Sequence, residues 1–198
     1  FRAALRGLGA GNLRRIDGRL RPTPVGMPWR TVPFPSGPRQ VGAIRWGDLA
    51  SAYRSTRIPT ITVYSRSPRQ AGRLGLAMVL AARPLLQLPV GRRVAEGAAG
   101  WMTGPTPDRR SRSRCEVWAE VRDRTGATRS ATLVGPNAYE LTADAVLRGV
   151  RHLLAGTGSA GPVAPGAHTP SSAFGSGFAG ELDRVEMSAV QEGRSTQA

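Results

Sequence analysis

Apolar and polar positions alternate most regularly late in the chain. Cys115, Val117, Ala119 and Val121 alternate with Glu116, Trp118, Glu120 and Arg122; Asp123-Arg124-Thr125-Gly126 follows, then a second extended run over 127–134. A period of two on either side of a glycine-containing turn predicts a β-hairpin. After it, Val146, Leu147, Val150, Leu153 and Leu154 recur at helical spacing behind Thr142, predicting an amphipathic helix ended by Gly156. The first half gives shorter pieces. Residues 16–20 hold an Asp-Gly turn, 29–34 alternate around Val32 before Pro35-Ser36-Gly37-Pro38, and 41–46 and 61–64 read as further strands. Between these, 48–53 starts a helix with Asp48 expected as its N-cap.

From 71 to 102 the composition turns to Leu, Ala, Val and Gly with Arg73, Arg83, Arg92 and Arg93, a helical hairpin broken near Pro84 and Pro89. Its apolar centre, 74–90, contains Arg83 and both prolines and falls short of the ~20 mostly apolar residues of a membrane span. A packed helix pair is the expectation, ahead of an interfacial helix. The whole pattern predicts an α+β fold: a mixed, largely antiparallel sheet with packed helices and a disordered C-terminal tail. One domain is expected over 1–178. A polar tail is expected over 179–198, where the Gly-, Pro-, Ser- and Thr-rich stretch before it gives way to acidic residues.

Composition narrows the function only a little. All 28 basic residues are arginine, which points to compositional bias more than to a surface selected for cations. The charge is uneven: residues 1–114 carry a balance of +17 and residues 115–198 one of −2. Such a field attracts phosphate-bearing cofactors, anionic lipid or nucleic acid without distinguishing them. No stacking-aromatic, recognition-helix or zinc-finger pattern accompanies it, so an arginine-driven nucleic-acid binder is the weakest of three readings. A protein using 71–94 and its arginines on anionic lipid is the second. Cys115 is the single cysteine, which excludes an intrachain disulfide and favours a cytoplasmic location with membrane association as its variant. His152 and His168 are too few and too far apart for a zinc site, and no metal is expected. Residues 1–13 lack the apolar run of a signal peptide and read as a broken helix end, so the start is expected to be a truncation.

The densest candidate chemistry lies in 46–59. Asp48, after a strand and a glycine, can bind a substrate ammonium, while Ser51, Tyr53, Ser55 and Thr56 can hydrogen-bond a polar ligand in the same cleft, with Trp46 at its edge. The structural alternative is a capping Asp48, core aromatics and turn hydroxyls. Far downstream, Gly166-Ala-His168-Thr169-Pro170-Ser171-Ser172-Ala173-Phe174-Gly175 places a loop histidine that can act as a general acid, although such residues are usually just exposed. Gly7-Leu8-Gly9-Ala10-Gly11-Asn12 lacks both a preceding strand and the full dinucleotide-binding spacing. Cys115 opens a strand with no histidine near it in sequence, which reads as packing.

Three blocks, 46–59, the 116–136 hairpin with its following helix, and 166–175 with its Gly-x-x-Thr-Pro-Ser-x-Ala-x-Gly pattern, stand in an order that resembles the substrate-side part of saccharopine dehydrogenase-like oxidoreductases. The likeness spans 1–178. It implies an NAD(P) cofactor bound mainly by a dinucleotide-binding N-terminal half missing from this sequence, and a small-molecule substrate held by Trp46, Asp48, Tyr53, Ser55 and Thr56. Trans-acting enoyl reductases are among the related proteins. The resemblance assigns no catalytic residue, and homo-oligomerisation stays open. One departure stands out: the family pattern has glycine where this chain has Arg57, so Arg57 is expected to require a different turn or to project into the cleft.

Overall fold

The computed structural model describes residues 12–24, 26–66 and 106–194, together with positions 84, 88, 90, 91, 93 and 97. The glycine run at 7–11, the helical hairpin expected over 71–102, apart from those isolated positions, and the last residues, 195–198, lie outside the described residues. The chain clusters into two compact units, Phe1–Val32 with Arg39–Gly104 and Pro33–Pro38 with Pro105–Ala198. Among the described residues no helix is long and apolar enough to cross a membrane.

In the first unit, β1 (Asn12–Ile16) and β2 (Arg19–Thr23) form an antiparallel hairpin in which Arg15 stands opposite Leu20. The expected Asp-Gly turn is there, with φ of 50° at Asp17 and 75° at Gly18. Left-handed backbone at both central residues matches the twist of the flanking strands, and Asp and Gly tolerate it. A second sheet has the order β3-β4-β5, from β3 (Gly26–Phe34), β4 (Gly37–Ala43) and β5 (Tyr64–Arg66). β5 is antiparallel to β4, with Ala43 opposite Tyr64. The strand expected over 61–64 therefore begins late, and Ile61 instead makes an isolated bridge to Arg15 through two 3.0 Å backbone bonds. Helix α1 (Asp48–Thr56) lies between β4 and β5 in sequence. Val32, Val41, Ala43 and Leu49 are buried, and Asn12 and Arg15 are buried with them.

The second unit is built on the predicted hairpin. β6 (Cys115–Arg122) pairs with β7 (Ala127–Gly135) over eight residues, Cys115 opposite Gly135 and Arg122 opposite Thr128. Asp123 organises the turn: its Oδ1 accepts from the Thr125 amide at 2.8 Å, the Thr125 hydroxyl at 2.7 Å and the Ala127 amide at 3.0 Å. The Thr125 hydroxyl, with backbone amides behind it, holds the Asp123 carboxyl below the usual aspartate range. A short helix α2 (Pro107–Arg112) precedes the hairpin and α3 (Ala138–Leu154) follows it.

Both ends of α3 are chemically defined. Asn137 caps its start, accepting from the Tyr139 and Glu140 amides at 3.1 Å. At the other end Gly156 takes φ 67°, its amide bonds Leu153 O at 3.2 Å, and the Thr157 amide bonds His152 O at 2.9 Å. That is a Schellman stop at the glycine the pattern indicated.

Two expectations need correction. The apolar stripe of α3 does not face inward: Val146, Leu147, Val150, Leu153 and Leu154 are 46–84% exposed. The packed side carries Leu141, Gly149 and a polar ladder at four-residue spacing. Glu140 pairs with Arg184; Asp144 accepts from the Asp183 amide at 2.8 Å; Arg148 reaches Asp144 at 3.0 Å and Asp183 at 2.6 Å; His152 meets Glu181 at 2.8 Å. Hydrophobic periodicity cannot foresee this, because the ladder's partners lie 29 to 44 positions downstream.

The second correction follows from the first. The stretch from 179 to 194 is ordered, not a free tail. It passes through a 3-10 turn (Phe178–Glu181), β8 (Glu186–Met187) and β9 (Gln191–Arg194), with Phe178 and Leu182 buried and both strands antiparallel to β7.

Candidate functional site

The strip at 46–59 folds as a strand end, one short helix and a left-handed stop. Gly47, not Asp48, is the N-cap of α1, and its carbonyl accepts from the Ala50 amide at 2.8 Å. Asp48 becomes the first helical residue. Its carboxylate is exposed at the helix N-terminus, where a negative charge is favourable, and has no side-chain partner among the described residues. Trp46, just before the helix, is 60% exposed, so it is not a core aromatic.

The five predicted residues do not all converge. Helical spacing puts Asp48, Ser51 and Ser55 on one face of α1 and Tyr53 on the opposite one, with buried Leu49. The hydroxyls are already engaged on their own helix. Ser55 Oγ donates to Ser51 O at 3.1 Å; Thr56 Oγ1 donates to Ala52 O at 2.7 Å and accepts from the Ile58 amide at 3.2 Å. Such back-bonding satisfies the hydroxyls locally. Asp48 and Ser55 are exposed on one face of α1, and Trp46 is exposed just before it.

Tyr53 belongs to a different constellation, centred on Arg15. The Arg15 guanidinium carbon lies 4.1 Å from the Tyr53 ring centroid, its Nε donates to Leu49 O at 2.7 Å and its Nη1 to Gly18 O at 2.6 Å. Arg15 is 8% exposed, an unusual position for a charge, and two carbonyls plus an aromatic face compensate its lost hydration. It ties the β1–β2 turn to α1. Composition does not single it out, since it is one of twenty-eight arginines.

Arg57 does not take a different turn but keeps the one that the glycine of the family pattern would make. It is the C-terminal cap of α1 with φ 58° and ψ 15°, donating its amide to Tyr53 O at 2.9 Å. The left-handed conformation that a glycine would adopt freely is forced on an arginine.

The 166–175 motif resolves into helix-capping chemistry. Thr169 caps α4 (Pro170–Phe174) in a reciprocal capping box with Ser172, at 3.2 and 2.9 Å, and Pro170 occupies the first turn. Ala173 is buried, and Gly175 takes φ 95°. His168 is exposed, its Nε2 2.8 Å from Ala164 O, which makes it a loop closure.

His152, weighed from sequence only as a metal ligand, joins several described residues of the second unit. Its Nδ1 lies 2.9 Å from Thr157 Oγ1 and its Nε2 2.8 Å from Glu181 Oε2, while its ring stacks on Phe174 at 5.2 Å and meets Phe178 edge-on at 5.9 Å. Arg148, Arg151, Ala155 and Thr157 surround it at a shallow cavity of about 260 Å³. A hydroxyl, an imidazole and a carboxylate in sequence suggest nucleophilic activation. The neighbouring amides argue against it: those of Gly156, Thr157 and Gly158 are spent on Leu153, His152 and Gly161 carbonyls, leaving no pair of donors for an oxyanion. The cluster locks the end of α3 to the 3-10 turn. Beside it, the Asp183 amide and then Arg148 hold the Asp144 carboxyl below the usual range. A second cavity, about 220 Å³, lies near Ser111, Arg114, Asn137 and Arg184. Burial first, then Glu116, pushes the Cys115 thiol up, away from a nucleophilic thiolate. Among the described residues no group of three His, Cys, Asp or Glu side chains could hold a metal ion.

No family model, curated protein or solved structure matches the chain.

Proposed function

We propose that the chain is the substrate-side part of an NAD(P)-dependent oxidoreductase of the saccharopine dehydrogenase-like kind, working with a dinucleotide-binding half outside this sequence. The observation that carries the reading is the exposure of Trp46 and Asp48, an indole and a carboxylate at the start of a short helix. Exposed aromatic and charged groups held on a fixed element are the usual raw material of a binding edge. The order of the three sequence blocks and the α+β fold class support it.

The described residues do not fit the cofactor's pyrophosphate. Among them no glycine loop leads from a parallel strand into a helix, the arrangement that would place amides on phosphate oxygens. Holding NAD(P) falls to the other half. Within this chain, Asp48 orients a cationic group of the substrate and Trp46 covers an apolar part of it, while Arg15 and Tyr53 fix α1 from behind.

Cofactor titration of a chain joined to its dinucleotide-binding half tests this. NAD(P)H fluorescence is expected to change on binding, and Asp48→Asn is expected to raise KM about tenfold or more, the loss of one charge-assisted contact. A joined protein that binds neither NADH nor NADPH sinks the reading. So does one whose kinetics ignore both Asp48 and Trp46 substitutions.

A further inference from the structure

β6 is an edge strand. It pairs with β7 alone, and among the described residues no strand lies along its other side. Eight residues of open edge template further strand pairing unless something blunts them. We propose that the chain self-associates by antiparallel pairing of β6 with the β6 of a second copy, about a two-fold axis through Ala119, so that the four-stranded sheet continues into its mate.

The side chains select this register. With Ala119 on the axis, Glu116 stands opposite the partner's Arg122, and Arg122 opposite the partner's Glu116. On the other face Val117 meets the partner's Val121, twice over by symmetry. Opposite charges and β-branched residues directly across from each other are favourable cross-strand combinations, and like charges are not. A slip of two residues is the smallest that keeps each side chain on its own face. In one direction it sets Glu116 against the partner's Glu120; in the other it sets Glu120 against the partner's Glu120. Within the eight residues of β6 both neighbouring registers are electrostatically worse.

The same residues have surface left to bury. Val117 and Val121 are 47% and 50% exposed. Arg122 makes only a loose 3.9 Å contact with Glu120 within its own strand, and its side chain is 48% exposed. Glu116 accepts from the Ser36 amide and hydroxyl at 3.0 and 2.6 Å, which leaves acceptor capacity for a guanidinium. Two short strands bury less than the ~800 Å² per partner of a standard stable interface, so the dimer is weak and concentration-dependent.

Sedimentation velocity of the full chain over a concentration series is expected to show a reversible monomer–dimer equilibrium. Glu116→Arg and Arg122→Glu each place like charges in both cross-strand contacts and are expected to weaken the dimer about tenfold or more. Mixing the two variants restores association, because every contact then joins opposite charges. Circular dichroism checks that each variant folds. If one does not, hydrogen exchange of the unsubstituted chain decides: protection that grows with concentration in β6 supports the proposal, and protection elsewhere overturns it. A chain that stays monomeric up to its solubility limit overturns it, as does a dimer indifferent to both charge reversals. Mass and exchange are read without cofactor, so these outcomes are independent of the proposed reaction.

Discussion

Arg57 shows how one backbone torsion can be worth more than a side-chain contact. Holding a non-glycine residue in the left-handed region costs about 1 kcal/mol, and Arg57 sits there at φ 58°. Against this stands the Arg57 guanidinium, 6.0 Å from the Tyr53 ring centroid, at the outer limit of cation–π attraction and worth about 0.5 kcal/mol or less at an exposed position. Strain wins. Arg57→Gly is expected to stabilise the chain by about 0.5 kcal/mol, allowing for the entropy that glycine adds to the unfolded state, seen as a higher urea midpoint at unchanged slope. A lower midpoint would mean that the aromatic contact is stronger than its distance suggests. The only pointer to left-handed backbone here was the glycine of the family pattern, and the different turn expected for an arginine is not what the chain adopts. Arg15 was not legible. Its burial depends on Leu49 O, Gly18 O and the Tyr53 ring meeting around it, and two of those three lie more than thirty residues away.

At the scale of elements, local chemistry predicted existence and long-range pairing decided orientation. The 115–135 hairpin was readable because alternation and the Asp123 turn act within a few residues of each other. α3 was readable as a helix, with its stop, for the same reason. Its facing was not, since Glu140, Asp144, Arg148 and His152 turn inward only because the 181–184 segment supplies their partners. β8 and β9, short and polar, exist as strands by borrowing hydrogen bonds from β7. The ladder makes a pH prediction. A carboxyl whose native pKa is depressed, as that of Asp144 is, adds stability that is fully present above the ordinary aspartate range and lost as pH falls through the native value. Asp144→Asn is therefore expected to lower the urea midpoint at pH 7. The gap from the parent chain should narrow as the pH falls below about 4. A gap that holds constant through acid would assign the loss to the altered Arg148 geometry instead of to the charge.

For the whole molecule the dominant physical fact is a net charge of +15 carried entirely by arginine. The excess lies before residue 115, and the sequence shows this as plainly as any structure could. Among the described residues it does not organise a reader of bases. Among the described arginines of the first half, Arg15 is buried under Tyr53, and Arg14 is bonded through its Nε to Thr62 at 2.8 Å. No described helix of that half is longer than the nine residues of α1, whose outward face carries Asp48 and serine hydroxyls. Polyanion binding by this chain should therefore be counterion release and little else. Binding to DNA is expected at low salt, indifferent to sequence, with log K falling linearly against log salt at about 0.9 per neutralised phosphate. Fluorescence anisotropy with two unrelated duplexes, from about 50 to 200 mM salt, should give superimposable lines with a drop of orders of magnitude. A duplex preference that survives the higher salt would require base-edge contacts, and would move the arginine-rich half from a consequence of composition to a recognition surface in its own right.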